Sequence, residues 1–265
     1  MNEDRASRYQ RLKRRTALLS LAWSAGLLVV LLATGWTLSL GAAAARAVTI
    51  AGPTAAPWLT VFAYVLLLTL ASEIGALPLG FYGGYVLERR YGLSTERPGG
   101  WARDQAKSFG VGLLLGGTAA SVLYGVIRAW PDRWWLPAGL LFAVLIAGLV
   151  NIAPVLLLPI FYQVKPLERE ALRRRLVAMV ERAGARVIGV YEWGLGARTR
   201  KANAALTGLG ATRRILISDT MLAEYTDDEI EVVLAHELAH HVHGDIWKGI
   251  AFECVLVVAG FYLAS

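Results

Sequence analysis

Long, uninterrupted apolar blocks separated by short charged stretches constrain this chain more than any other feature. Four blocks are clear, at roughly 17–41, 59–82, 108–128 and 136–162. Each holds the ~20 residues that a helix needs to cross a hydrocarbon layer. A fifth begins near Ile246 and runs to Ser265. The 265 residues are 56% hydrophobic, with a mean hydropathy of +0.48, more apolar than an ordinary water-soluble domain. The pattern predicts a mainly α, multi-pass transmembrane helical bundle.

The first block follows a basic start, "RASRYQRLKRR", and precedes "AAAARA", features that a cleaved leader also shows. Its apolar run of about 25 residues exceeds the core of a leader, so it reads as a membrane anchor.

Lys and Arg set the expected orientation. Arg5, Arg8, Arg11, Lys13, Arg14 and Arg15 precede the first block, whereas Arg46 is alone after it. The next loop holds Arg89, Arg90, Arg97, Arg103 and Lys107. Beyond the third block, Arg128 and Arg133 stand beside Trp130, Trp134 and Trp135, an interfacial aromatic belt. The chain is strongly basic again from Lys165 to Arg175. This alternation predicts a cytoplasmic N-terminus and a cytoplasmic 163–245 segment, as expected of a bacterial inner-membrane protein. The net charge of +7 therefore follows from topology, and no nucleic-acid partner is expected. The single cysteine, Cys254, lies in an apolar block and reads as a small buried hydrophobe.

Three parts follow: a membrane bundle over 1–162, a small α+β domain over 163–245, and the start of a fifth span over 246–265. The alanine-rich 42–47 reads as a linker. In the middle part, "PLEREALRRRLVAMVERAG" has Leu167, Leu172, Leu176, Met179 and Val180 at helical spacing, with Gly184 as a stop. "RVIGVYEW" reads as a strand, and "ANAALTGLGATRRILIS" as a hairpin around a glycine-containing turn. "TDDEIEVVLAHELAHHVHG" reads as a helix. Thr226 and Glu229 form its capping box, and Gly244 marks its end.

That last helix carries the chemistry. His236 and His240 are four residues apart, so both imidazoles lie on one helix face, about 5–6 Å apart at Cβ. Two neutral imidazoles at that separation can share a zinc ion. Glu237, one step around the helix, can take a proton from a zinc-activated water without being a ligand. A bare match of three positions is only suggestive, but a capped helix beside a predicted hairpin strengthens it.

A zinc site of this kind has three protein ligands. A glycine and a histidine three and six residues past the second histidine would mark one class. Those positions hold His243 and Ile246, which excludes it. On a continuous helix Glu253 lies about 20 Å past His240, and Asp245 points about 140° away. His241 points off the zinc face. His243 could lean toward His240 but strains to share an ion with His236. The third ligand is expected outside these residues, beyond Ser265.

Several stretches resemble the CAAX prenyl protease type 1 family of membrane zinc metallopeptidases and, more loosely, bacterial membrane heat-shock proteases. They are "LPLGFYGGYVLERRYGLS" (77–94), "PIFYQVKPL" (159–167), "ANAALTGLGATRRILISDTML" (202–222) and "HELAHHVHGD" (236–245). The resemblance implies a zinc endopeptidase in a helical bundle. It implies His236 and His240 as zinc ligands, Glu237 as general base, and Asn203 near the substrate path. Without the resemblance, Asn203 would read as a turn residue. The family takes its glutamate ligand, and a histidine that assists the transition state, from later helices. Many members also have a histidine where Asp245 stands.

Two further polar positions are noted. Glu73, inside the second span, is either functional or paired with a bundle neighbour. Asn151 with Pro154 and Pro159 marks a kink or packing contact.

The expected function is peptide-bond hydrolysis by zinc-activated water, with a peptide or protein substrate, possibly prenylated, met at the lipid bilayer. The chain is read as a C-terminally incomplete form of such an enzyme. The alternative is a non-catalytic relative with a structural or partner-binding role.

Overall fold

In hydrocarbon a backbone must satisfy its own hydrogen bonds, and the apolar blocks do so as helices. The computed structural model describes residues 4–51, 57–208 and 210–265. Among the described residues, five helical stretches are long and apolar enough to cross a membrane: Arg5–Thr34, Pro57–Arg90, Pro98–Ala129, Trp135–Leu156 and Asp245–Leu263. The contacts group the chain into two units, Met1–Pro131 and Asp132–Ser265.

In the first unit, α1 (Arg5–Thr34) begins within the basic tail and stops at Gly35, whose φ of 70° ends the helix. Helix α2 (Trp36–Ala51) follows at once. The alanine-rich 42–47 is thus helix and not linker, as alanine's high helix propensity favours. At 16 residues α2 is about 24 Å long, short of a full hydrocarbon layer. Helix α3 (Pro57–Phe81) passes through a π-turn at Tyr82–Val86 into α4 (Leu87–Arg90), and α5 (Pro98–Ala129) completes the unit.

Helix α1 packs on α3 at Gly75, where a Cβ would lie 1.9 Å from the Trp23 ring. The Trp23 indole donates to the Ser72 carbonyl at 3.0 Å. Buried Glu88 accepts from the Tyr9 hydroxyl at 2.6 Å and from the Lys13 ammonium at 2.5 Å. The Lys13 ammonium also donates to the Gly83 carbonyl at 3.1 Å, beside the π-turn. Glu73 pairs with Gln105 of α5 at 3.3 Å, the bundle-neighbour arrangement.

The second unit joins two spans to the small sheet domain. Helix α6 (Trp135–Leu156) contains Pro154, and short α7 (Leu158–Phe161) follows the break. Asn151 of α6 accepts from the Thr212 hydroxyl at 2.5 Å, tying the end of the span to the hairpin turn. Leu209 lies outside the described residues.

Four short strands form one sheet in the order β1-β2-β4-β3. They are β1 (Val164–Pro166), β2 (Val190–Trp193), β3 (Ala204–Thr207) and β4 (Arg214–Ser218). The expected hairpin is β3 with β4, antiparallel, pairing Ala204 with Ile217 and Thr207 with Arg214. β2 runs parallel to β4, and β1 antiparallel to β2.

Helix α8 (Glu170–Arg182), α9 (Asp219–Glu224) and α10 (Asp227–Val242) accompany the sheet. Leu172, Leu176 and Val180 of α8 join Ile215 and Ile217 of β4 and Ile230, Leu234 and Leu238 of α10 in one core. Helix α11 (Asp245–Leu263) returns as a span and packs on α6. Trp134 meets Phe261 and Trp135 meets Tyr262 edge-on at this helix pair.

Candidate functional site

Helix α10 starts where its N-terminal amides find partners. The Thr226 hydroxyl accepts from the Glu229 amide, and the Glu229 carboxylate accepts from the Thr226 amide at 2.8 Å, a complete capping box. Asp227, Asp228 and Glu229 place negative charge at the positive helix end. The Thr226 amide and hydroxyl both hydrogen-bond the Glu229 carboxylate and hold it below the usual carboxylate range.

The apolar positions fix which way the helix faces. Ile230, Leu234 and Leu238, four residues apart, are buried against the core. At 100° per residue, positions two further along each lie about 200° away, on the opposite side. Those positions are Val232, His236 and His240, and all three are exposed. The guanidinium of Arg175, on α8, pairs with Asp228 at 2.5 Å and Glu231 at 2.7 Å, clamping the helix from its other flank.

The structure therefore brings His236 and His240 together on the free face of α10. Their ring centroids are 4.9 Å apart with planes at 85°. Glu237, one residue on, is half-buried. Two imidazole nitrogens on one exposed helix face, with a carboxylate beside them, form a donor set that suits zinc. Among the described residues, no three His, Cys, Asp or Glu side chains come together as a metal-binding group. The two imidazoles fit part of a zinc site, and a third donor would have to join them.

One expectation is overturned here. Asp245 does not point away from the histidines: its Oδ2 lies 2.9 Å from Nδ1 of His240. The five-step rotation assumed an unbroken helix, but α10 ends at Val242 and Gly244 adopts φ 69°. That left-handed residue turns the chain and returns Asp245 toward the last turn of α10. Lys248 donates to Oδ1 of the same carboxylate at 3.1 Å. The cue in the sequence was a glycine at the helix end followed directly by an acid.

The other two histidines are engaged elsewhere. Nδ1 of His243 lies 2.7 Å from the Ala239 carbonyl in its own helix turn. His241 is half-buried, and burial, together with the Arg213 guanidinium, pulls its pKa below the usual imidazole value.

Asn203 immediately precedes the edge strand β3, which packs against α10. Its amide donates to the Ser218 hydroxyl at 2.8 Å, and its carbonyl accepts from the Ser218 amide at 2.9 Å. Ala204 faces the core. Asn203, Ala205 and Thr207 instead line an open cavity of about 350 Å³, together with Pro154 and Phe161 from the end of the span. Asn203 is thus on an element next to α10, but its side chain lines the opposite face of the sheet.

Known proteins give a consistent picture. Residues 2–163 match a family model described as CAAX prenyl protease N-terminal, five membrane helices. Residues 166–265 match peptidase family M48. A Bacillus subtilis protein named uncharacterized metalloprotease YhfN is 32% identical over 200 residues, covering 76% of this chain and 47% of its own length. CAAX prenyl protease 1 of Saccharomyces cerevisiae is 31% identical over 189 residues, covering 71% of this chain and 42% of its own. The crystal structure of S. mikatae Ste24p superposes with a TM-score of 0.84 at 24% identity, covering 97% of this chain and 60% of that one. That likeness shows a shared fold. The chain spans less than half the length of these two curated relatives.

Proposed function

The chain belongs to the M48 peptidase family, and on that premise we propose that it is the N-terminal portion of a membrane-embedded zinc metalloendopeptidase. The observation that carries the reading is the pair of imidazoles on the free face of α10, with Glu237 between them in sequence.

In this reading His236 and His240 hold the metal. When bound, zinc supplies a Lewis acid that makes water nucleophilic at neutral pH and polarises the scissile carbonyl. Glu237 receives the proton of the attacking water on its carboxylate and returns it to the leaving amine. The buried stripe Ile230, Leu234 and Leu238 fixes the helix so that both histidines face the reaction. In this reading a third ligand, supplied from sequence outside these residues, completes the site.

The substrate is a peptide or protein segment, prenylated if the chemistry of the named relatives carries over. It would lie extended along edge strand β3, whose outer backbone groups offer a strand-addition template. Asn203 stands at the start of that edge and is proposed to contact it. The functional division follows the chemistry: a membrane bundle over 1–162, the peptidase segment over 163–245, and a further span from 246. The Lys and Arg flanking the spans support a reading with the N-terminus and α10 on the cytoplasmic side of a bacterial inner membrane.

The test is peptide hydrolysis by the complete gene product with zinc, wild type against Glu237→Gln. Loss of the general base should lower the rate about 10²–10⁴-fold with zinc retained. Equal rates would refute the reading and favour a non-catalytic relative.

A further inference from the structure

We propose that Asp245 is a positioning residue that locks the His240 ring into the one tautomer able to bind a metal through Nε2. The inference rests on His240 being a zinc ligand, and it concerns how this chain prepares that ligand.

An ionised carboxylate has lone pairs and no proton to give. With Asp245 Oδ2 at 2.9 Å, Nδ1 of His240 must carry the hydrogen. In a neutral imidazole the other nitrogen then keeps its lone pair, so Nε2 becomes the acceptor and ligand atom. The carboxylate is itself held from its far side, because the Lys248 ammonium donates to Oδ1 at 3.1 Å. One oxygen orients the ring while the other is anchored. Hydrogen-bonded carboxylates behind metal-binding histidines act this way in general, by fixing the tautomer and ring orientation and raising the basicity of the ligand nitrogen.

The arrangement depends on the local chain path. Gly244 at φ 69° is what returns Asp245 to the ring. Asp245 is also the first residue of α11, a helix of membrane-spanning length, so the orienting group is fixed to the start of a span. His236 has no comparable partner among the described residues, so the two imidazoles are prepared unequally.

The test uses this chain in detergent, labelled with ¹⁵N-histidine and free of metal, at about pH 8. The His240 signals, assigned by their loss in His240→Asn, should show Nδ1 protonated in the wild type. In Asp245→Ala they should shift to a mixture of tautomers. Zinc titration of the same samples should show about 10–100-fold weaker binding in Asp245→Ala. Asp245→Asn, which keeps the shape and a carbonyl acceptor, should recover part of both signals. It carries the test if the alanine variant does not fold.

An unchanged His240 tautomer with unchanged zinc affinity in the Asp245 variants would overturn the proposal. If His240→Asn itself leaves zinc binding intact, the zinc-ligand reading fails, whereas the tautomer measurement still reports on Asp245.

Discussion

Replacing Leu234 with alanine tests the packing that turns the two histidines outward. Leu234 is fully buried, one turn before Leu238 and on the same inner face of α10. The change removes three carbons, which at about 0.8 kcal/mol per buried methylene is about 2.4 kcal/mol. The surrounding α8 and β4 side chains relax only partly, so a cavity term raises the loss to about 3 kcal/mol. Val232 provides the comparison. It is 71% exposed and one turn before His236 on the outer face, so Val232→Ala should change stability by less than about 0.5 kcal/mol. Urea titrations in detergent, read by brief proteolysis of the 164–242 segment, give both values. If Val232→Ala costs as much as Leu234→Ala, the faces of α10 have been misassigned and His236 and His240 are not on its free side.

Thr226→Ala removes the hydroxyl that caps α10 and should cost about 0.5–2 kcal/mol in the same assay. Acid should act on the same cap through Glu229. Its folded-state pKa is depressed by the Thr226 amide and hydroxyl, so its contribution is complete above the ordinary glutamate value. That contribution is lost as pH falls through the lower folded value. A stability profile from neutral to strongly acidic pH, wild type against Glu229→Gln, should therefore converge at the acid end. A constant gap between the two would show that the carboxylate's charge is not what stabilises the cap.

Much of this architecture was legible in the sequence because its causes are local. The apolar blocks give spans from composition alone, and the capping box predicts the start of α10 at the position observed. The β3–β4 hairpin follows from two β-prone runs around glycine. What escaped depends on non-local contacts. Val164–Pro166 is too short to announce itself, and becomes a strand only by pairing with Tyr191–Trp193. The alanine-rich 42–47 has a linker's low-complexity composition, yet alanine's helix propensity makes it part of α2.

The same distinction runs through the candidate site. His236, Glu237 and His240 are a local pattern on one helix, and the structure brings the two rings together. The Asp245 contact was missed because a single left-handed glycine undoes the rotation that a continuous helix would impose. The side chain of Asn203 could not be oriented from sequence either, since alternation along β3 has meaning only once the core face is known.

The central claim is that α10 presents a zinc site through His236 and His240. Zinc titration of the 265-residue chain in detergent, wild type beside His236→Ala, His240→Ala and His243→Ala, tests it most directly. The account predicts that binding weakens in both of the first two variants and is unchanged in the third, whose ring is bonded to the Ala239 carbonyl. Binding that survives loss of His236 or His240, or that disappears with His243, would contradict it.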